Sequence, residues 1–180
     1  MSKTKKIILS GLLLAVLIVF DRFISIKTQY LQISLSFLPI IIVAIILGPK
    51  YSSAVAALGD LIGALLWPFG AYFIGFTIVD AIVGLIYGLL LYNKNEGKFF
   101  EGKNLLIRLA VSSAIVLWIV ELPCMSLMLS LLYGNAFIVV LTGRLATKLI
   151  MFPIQIGIMF FLSKYIKSLS QKYLLTENED

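Results

Sequence analysis

Apolar residues in this chain run in long blocks, and the charged residues gather at the edges of those blocks. About 20 predominantly apolar residues span a bilayer, somewhat fewer or more where neighbours help. By that measure the pattern predicts six spans: Ile7 to Ile26, Leu35 to Leu47, Ser52 to Trp67, Phe73 to Tyr92, Leu105 to Leu132 and Ala136 to Leu162. The second and third are short and are parted by a tight turn at Gly48-Pro49. Pro39, Pro123 and Pro153 fall inside spans, where they free backbone groups that neighbouring protein or a cavity must satisfy. Short, Pro- or Gly-interrupted spans point to binding sites in transporters. No period of 20–50 residues recurs, so the expected fold is all-α: a polytopic six-helix membrane bundle forming a single domain over residues 1–180.

Composition makes lipid the solvent. The chain is 61% hydrophobic and 13% charged, with mean hydropathy +1.04, against about 45–50% and about 25% in soluble domains. The start, MSKTKKIILSGLLLAVLIVF, has the basic and apolar regions of a signal peptide, but Asp21-Arg22 follows in place of a small-residue cleavage site. It reads as an uncleaved first span. The net charge of +6 sits at span edges, which fits a membrane and argues against nucleic acid. With both termini cytoplasmic, eleven of the fifteen basic residues fall on the inner side (Lys3, Lys5, Lys6, Lys50, Lys94, Lys98, Lys103, Arg108, Lys164, Lys167 and Lys172). The positive-inside rule therefore predicts a multi-pass cell-membrane protein with termini in. The longest outer connection, Ser25 to Ser34, is amphiphilic and suits a lid or an interfacial segment; the acidic tail TENED carries no functional signal.

Chemistry is narrowed by what is missing. With one cysteine, Cys124, no internal disulfide forms, and with no histidine there is neither a His-ligated metal nor a His general base. No metal or cofactor is expected. No G-x-x-x-x-G-K-[ST] occurs, so the chain does not hydrolyse ATP through a P-loop. Asp60 and Asp80 invite comparison with an intramembrane aspartyl dyad, but ALGD and IVDA lack protease-type motifs, so an enzyme is not expected.

Five charged residues lie well inside spans, away from their ends: Asp60, Asp80, Glu121, Arg144 and Lys148. Charges in lipid are costly and mark sites or mutual pairs. Asp60 and Asp80, on either side of the hinge WPFGAYF, are read as positioning their two helices. Arg144 and Lys148 are i and i+4 on one helix and share a face. Two adjacent cations make sense if an anion completes them, either Glu121 or a substrate. Arg22 ends the first span at the same level. Aromatic residues gather there too: Tyr30, Phe37, Trp67, Phe69, Tyr72, Phe73, Phe76 and, deeper, Trp118. Cations and aromatics together suit a flat ring bearing carboxylates. Arg144, Lys148 and Arg22 are the expected anion binders; Trp67, Tyr72, Phe73 and Trp118 the expected walls; Gln32, Ser36 and Thr77 the expected readers of a ring's polar edge. Small residues four apart mark helix contact faces. Gly59/Gly63, Gly84/Gly88 and Ala110/Ala114 are expected to pack internally, whereas Gly11/Ala15, on the first span, could present a smooth stripe to a partner protein.

The run ISLSFLPIIIVAIILGPKYSSAVAALGDLIGALLWPFGAYFIGFTIVDAIVGLIYGLLLY resembles the substrate-capture S components of energy-coupling factor (ECF) transporters, most closely their folate family. The resemblance rests on the GP turn, GD in span three, P-x-G-A-Y-F at the hinge, and G-F-T with G-x-I-Y-G in span four. A second block, TGRLATKLIMFPIQ, is similar to that family's R-L-x-x-K followed by F-P-x-Q. The resemblance implies a six-helix subunit that binds folate or a related vitamin from outside and delivers it to a membrane scaffold (T) subunit driven by two cytoplasmic ATPases. It makes Arg144 and Lys148 the basic residues of the R-L-x-x-K motif, and Gly11/Ala15 the docking stripe. Span five reads ELPCMSLML where the folate family carries a stretch like L-N-T-x-W, which leaves a pterin, pyrimidine or pyridoxine-type vitamin as alternatives. From a different class, a stand-alone carrier or channel would use Asp60, Asp80 and Glu121 as an ion path.

Overall fold

The computed structural model describes residues 2–27, 32–68, 70–92 and 102–175, the side chains of 27, 32, 102, 103, 105 and 162–175 excepted. Helix α1 spans Lys3–Arg22, capped by Ser2, whose Oγ accepts from the Lys5 N–H at 3.3 Å. That cap starts the helix ahead of the expected Ile7, and Ile26 leaves it for a two-residue ladder in which Ile26–Lys27 pairs antiparallel with Gln32–Ile33. The tip of the expected lid, with Tyr30, lies outside the described residues, as do Phe69 and the TENED tail.

Helix α2 (Phe37–Leu47) is apolar all round and is buried on nearly every side. Its eleven residues rise about 16 Å, far short of a hydrocarbon core about 30 Å thick. It survives in the middle of the bundle because α1, α3 (Pro49–Leu66), α4 (Ile74–Leu91) and α7 (Phe137–Leu175) surround it. Gly48 makes the turn from α2 to α3 with φ of 86°, and the Tyr92 ring lies 3.2 Å from where a Cβ would stand. Only glycine fits a left-handed position so closely covered.

The fifth span is continuous but not uniform. α5 (Gly102–Ala114) passes into a π-helical stretch, Ile115–Met125, that contains Pro123, and then into α6 (Ser126–Tyr133). Helix α7 continues past the expected end at Leu162, because the residues beyond hold neither Pro nor Gly to stop it. The described residues thus form six helical segments. Ile74–Leu91, Leu106–Tyr133 and Phe137–Phe161 are each long and apolar enough to cross a membrane.

Small residues set how closely the helices approach. A Cβ on Gly84 would overlap the Ser52 carbonyl, and one on Gly88 the Pro49 backbone, so α3 and α4 touch main chain to main chain. Ser52 Oγ uses that proximity to donate to the Gly84 carbonyl at 2.6 Å, and Ser53 Oγ donates to that of Ala81 at 2.9 Å. Gly59 and Gly63 receive α1: a Cβ on the first would meet Leu17, and on the second Arg22. Gly11 is different, with nothing within 4 Å of its would-be Cβ, and Ala15 beside it is exposed.

Candidate functional site

One cavity of about 240 Å³ runs between these helices. One end lies among the C-terminus of α1, the start of α2, the α3–α4 hinge and the end of α6, with Asp21, Arg22, Ser34, Ser36, Ala71 and Tyr133 on its lining. Toward the other end its lining includes Tyr87 from α4 and Gln155 from α7. Each helix contributes a stripe whose spacing follows from its geometry. On α4 the stripe is Phe76, Asp80, Val83 and Tyr87; on α7 it is Arg144, Lys148, Met151 and Gln155. Both advance by four, three and four residues, the repeat that holds one face of an α-helix.

The fifth span departs from this rule, with Leu117, Glu121, Met125, Leu129 and Tyr133 all lining the cavity, four residues apart throughout. In an α-helix each four-residue step overshoots a full turn by about 40°, and the stripe would wind off the wall. The wider π turns from Ile115 to Met125 offset that drift. The π stretch therefore has a consequence for the site: it keeps Glu121 on the cavity together with residues a whole span away.

The charged groups on the lining are Asp21, Arg22, Asp60, Asp80, Glu121, Arg144 and Lys148. Arg22 is held on several sides. Its Nη2 lies 3.6 Å from Asp60 Oδ1 and donates to the Asp60 carbonyl at 3.3 Å; Nη1 donates to the Trp67 carbonyl at 3.4 Å, and Nε faces Asp21 at 3.1 Å. Asp60 also accepts from Thr77 Oγ1 at 2.6 Å, and that hydroxyl lies 2.7 Å from the Tyr72 hydroxyl. Since Thr77 has one proton and gives it to Asp60, Tyr72 is the donor to Thr77. Asp60 thus ties together α1, α3 and α4. Lys148 forms an ion pair with Glu121.

Arg144 is the exception. It is 8% exposed, its Nε has no hydrogen-bond partner, and the guanidinium makes no ion pair within reach among the described residues. Burying a charge costs several kcal/mol, and the carboxylates whose charges offset that cost here are those of Glu121 and Asp80.

The structure brings together only part of the set expected from sequence. Arg144, Lys148, Arg22 and Ser36 line the cavity. Thr77 lies behind the wall and supports Asp60. The expected aromatic walls are elsewhere: Trp67 is 46% exposed and packs edge-on against Phe23, Phe73 is 37% exposed against Phe76, and Tyr72 is 38% exposed. Trp118 packs against Phe152, with ring centroids 6.4 Å apart. The side chain of Gln32 lies outside the described residues. The aromatic residues on the lining are Phe37, Phe76, Tyr87 and Tyr133. Tyr87 and Gln155 entered the sequence reading only within the G-x-I-Y-G and F-P-x-Q motifs, with no role assigned, although each lies seven residues beyond a charged residue, Asp80 and Lys148, on the same helix face.

Comparison with known proteins places this architecture. A family model described as "ECF-type riboflavin transporter, S component" matches residues 1–168. The chain is 33% identical over 154 residues to the folate transporter FolT of Clostridium novyi, covering 86% of this chain and 85% of that protein. It is 34% identical over 164 residues to FolT of Leuconostoc mesenteroides, covering 88% and 84%. A crystal structure of FolT bound with folic acid superposes with a TM-score of 0.79 at 33% identity, covering 90% of this chain and 94% of that one.

Proposed function

The chain belongs to the S-component family of ECF-type transporters, and on that premise we propose that it captures folate in the cavity between its helices. The observation that carries this reading is Arg144: a buried cation on the wall of the cavity, its Nε without a hydrogen-bond partner among the described residues. Riboflavin, for which the family model is named, is uncharged and leaves Arg144 as it is. Folate carries carboxylates that complete it with charge-assisted bonds. The folate-named relatives and the folic-acid-bound neighbour support the same choice.

Binding is non-covalent. Arg144 holds one carboxylate, and Lys148 joins it when the ligand draws the ammonium from Glu121. Phe37 and Phe76 offer apolar faces for the ring, and Ser36 and Arg22 sit at the mouth. A cavity of 240 Å³ is smaller than the roughly 300–1,000 Å³ of drug-sized ligand pockets, so a ligand of this size also fills the mouth. The basic residues at the inner edges of the spans set both termini on the cytoplasmic side of the cell membrane, with the mouth facing out. The exposed Gly11/Ala15 stripe of α1 then meets a membrane scaffold subunit, itself coupled to two cytoplasmic ATPases.

The test is folate binding to Arg144→Ala in detergent. Losing a buried charged bond is expected to cost about 2–5 kcal/mol of affinity, with folding intact. Unchanged affinity in a folded variant would overturn the assignment.

A further inference from the structure

We infer that Glu121 is an internal competitor of the ligand: its carboxylate engages the α7 cations in the ligand-free protein, is displaced by the ligand's acid, and so sets how tightly an anion is held and how fast it leaves. This deepens the folate reading above and rests on it. Glu121 and Lys148 both line the cavity. Their side chains form an ion pair that is 23% exposed on the glutamate and 10% on the lysine, so the pair faces the space a ligand enters. Arg144 answers to the same group: of the carboxylates whose charges act on it, Glu121 comes first and Asp80 second. The remaining cation of the lining, Arg22, is engaged by Asp60 and Asp21. One carboxylate, on the π stretch of the fifth span, thus serves both α7 cations.

A glutamate side chain offers the same group as the ligand's acid. Among the described residues the lining carries four carboxylates, Asp21, Asp60, Asp80 and Glu121, against three cations. The cavity is already supplied with anions, and an entering acid replaces one of them. Like charges forced together in a desolvated site repel strongly, so the ligand's acid and Glu121 do not share Lys148. The affinity observed is then the intrinsic affinity reduced by the fraction of protein whose cations are released from Glu121. The consequence has a sign. A residue that bonds the ligand, or one that only holds the fold, loses affinity when its charge is removed. A competitor gains it. The gain falls mainly on the dissociation rate, and it depends on the charge of the ligand.

The test titrates the purified chain with folate and with its diamide, in which both glutamyl carboxylates are amides. Glu121→Gln keeps the size and loses the charge. It is expected to bind folate about tenfold more tightly, the low end of couplings between close charge pairs, with slower dissociation of labelled folate and a much smaller gain for the diamide. Glu121→Asp keeps the charge and is expected to return folate affinity toward that of the unmodified chain. A second comparison does not depend on how well Glu121→Gln folds. Lys148→Gln leaves Glu121 facing the ligand's acid and is expected to weaken folate binding. Adding Glu121→Gln to it replaces the ion pair by two amides able to bond each other, and is expected to restore part of the loss. Unchanged or weaker folate binding by folded Glu121→Gln, an equal gain for both ligands, or a double variant no better than Lys148→Gln each overturns the inference. Failure of the unmodified chain to bind folate instead overturns the function proposed above.

Discussion

The two sides of the cavity differ in how their polar groups are satisfied. On the α3–α4 side, Asp60 is bonded to Thr77 and faces Arg22, and Ser52 and Ser53 each reach a carbonyl on α4. On α7, Lys148 is paired with Glu121 and Gln155 donates to Tyr87, while the buried Arg144 Nε has no hydrogen-bond partner among the described residues. The hairpin resembles a finished piece of protein interior, and α7 resembles half of an interface. Groups that complete one another inside the protein hold it together, and groups left incomplete in the same low-dielectric setting are those a ligand can complete. In the proposed reading the hairpin positions and α7 receives.

The sharpest way to break that contrast is within α7, where two cations one turn apart have opposite circumstances. Lys148→Met strands Glu121 without its cation, and removing one partner of a buried pair costs about 3–5 kcal/mol of stability. The double variant Glu121→Leu/Lys148→Met removes both charges and is expected to regain most of that loss. Thermal unfolding of the two single variants and the double one forms a cycle that measures the coupling directly. Additive losses would mean that the pair is not coupled, and Lys148 would then stand beside Arg144 as an open cation.

On the other side, Gly84→Leu forces a side chain into the Ser52 backbone. Overpacking of this kind costs about 3 kcal/mol, and here the obstacle is main chain, which cannot swing aside. The expected outcome is a lower melting temperature and a separated α3–α4 hairpin, with folate affinity falling only in step with the folded fraction. A fully stable Gly84→Leu protein that binds folate poorly would reverse the roles given to the two walls.

Much of this arrangement was legible in the sequence, and the illegible part has a physical pattern. The six segments followed from apolar blocks, and the Gly48-Pro49 turn and the shared face of Arg144 and Lys148 followed from local spacing. Residues brought together by helix phase were harder. Trp67, Tyr72 and Phe73 sit close to the hinge in sequence, but the cavity takes Ala71 and Phe76 from that region. Proximity along a chain does not say which way a helix or its cap faces. Tyr87 and Gln155 could have been found by counting two turns on from Asp80 and Lys148. The pairing of Lys148 with Glu121 could not be fixed from spacing, because its partner lies on another span whose phase is altered by the π stretch.

The smallest expected effect on the bundle falls on α1, whose two faces repeat the contrast. One face inserts Leu17 and Arg22 against Gly59 and Gly63; the other carries Gly11 with open space around it. The Cβ of Gly11→Leu therefore meets open space, and the change is expected to alter stability by within about 0.5 kcal/mol of neutral, or to raise it through the better helix propensity of Leu. Folate binding by the isolated subunit is expected to be unchanged. Assembly with the scaffold subunit is another matter, because close approach of two helices in lipid needs small residues at the contact, and a leucine there holds the backbones apart. Co-purification of scaffold and ATPases with wild-type and Gly11→Leu protein reads this out. If the complex survives, the stripe faces lipid rather than a partner, and another surface must dock; if it is lost while folate binding persists, capture and docking are separable properties of opposite sides of one small bundle.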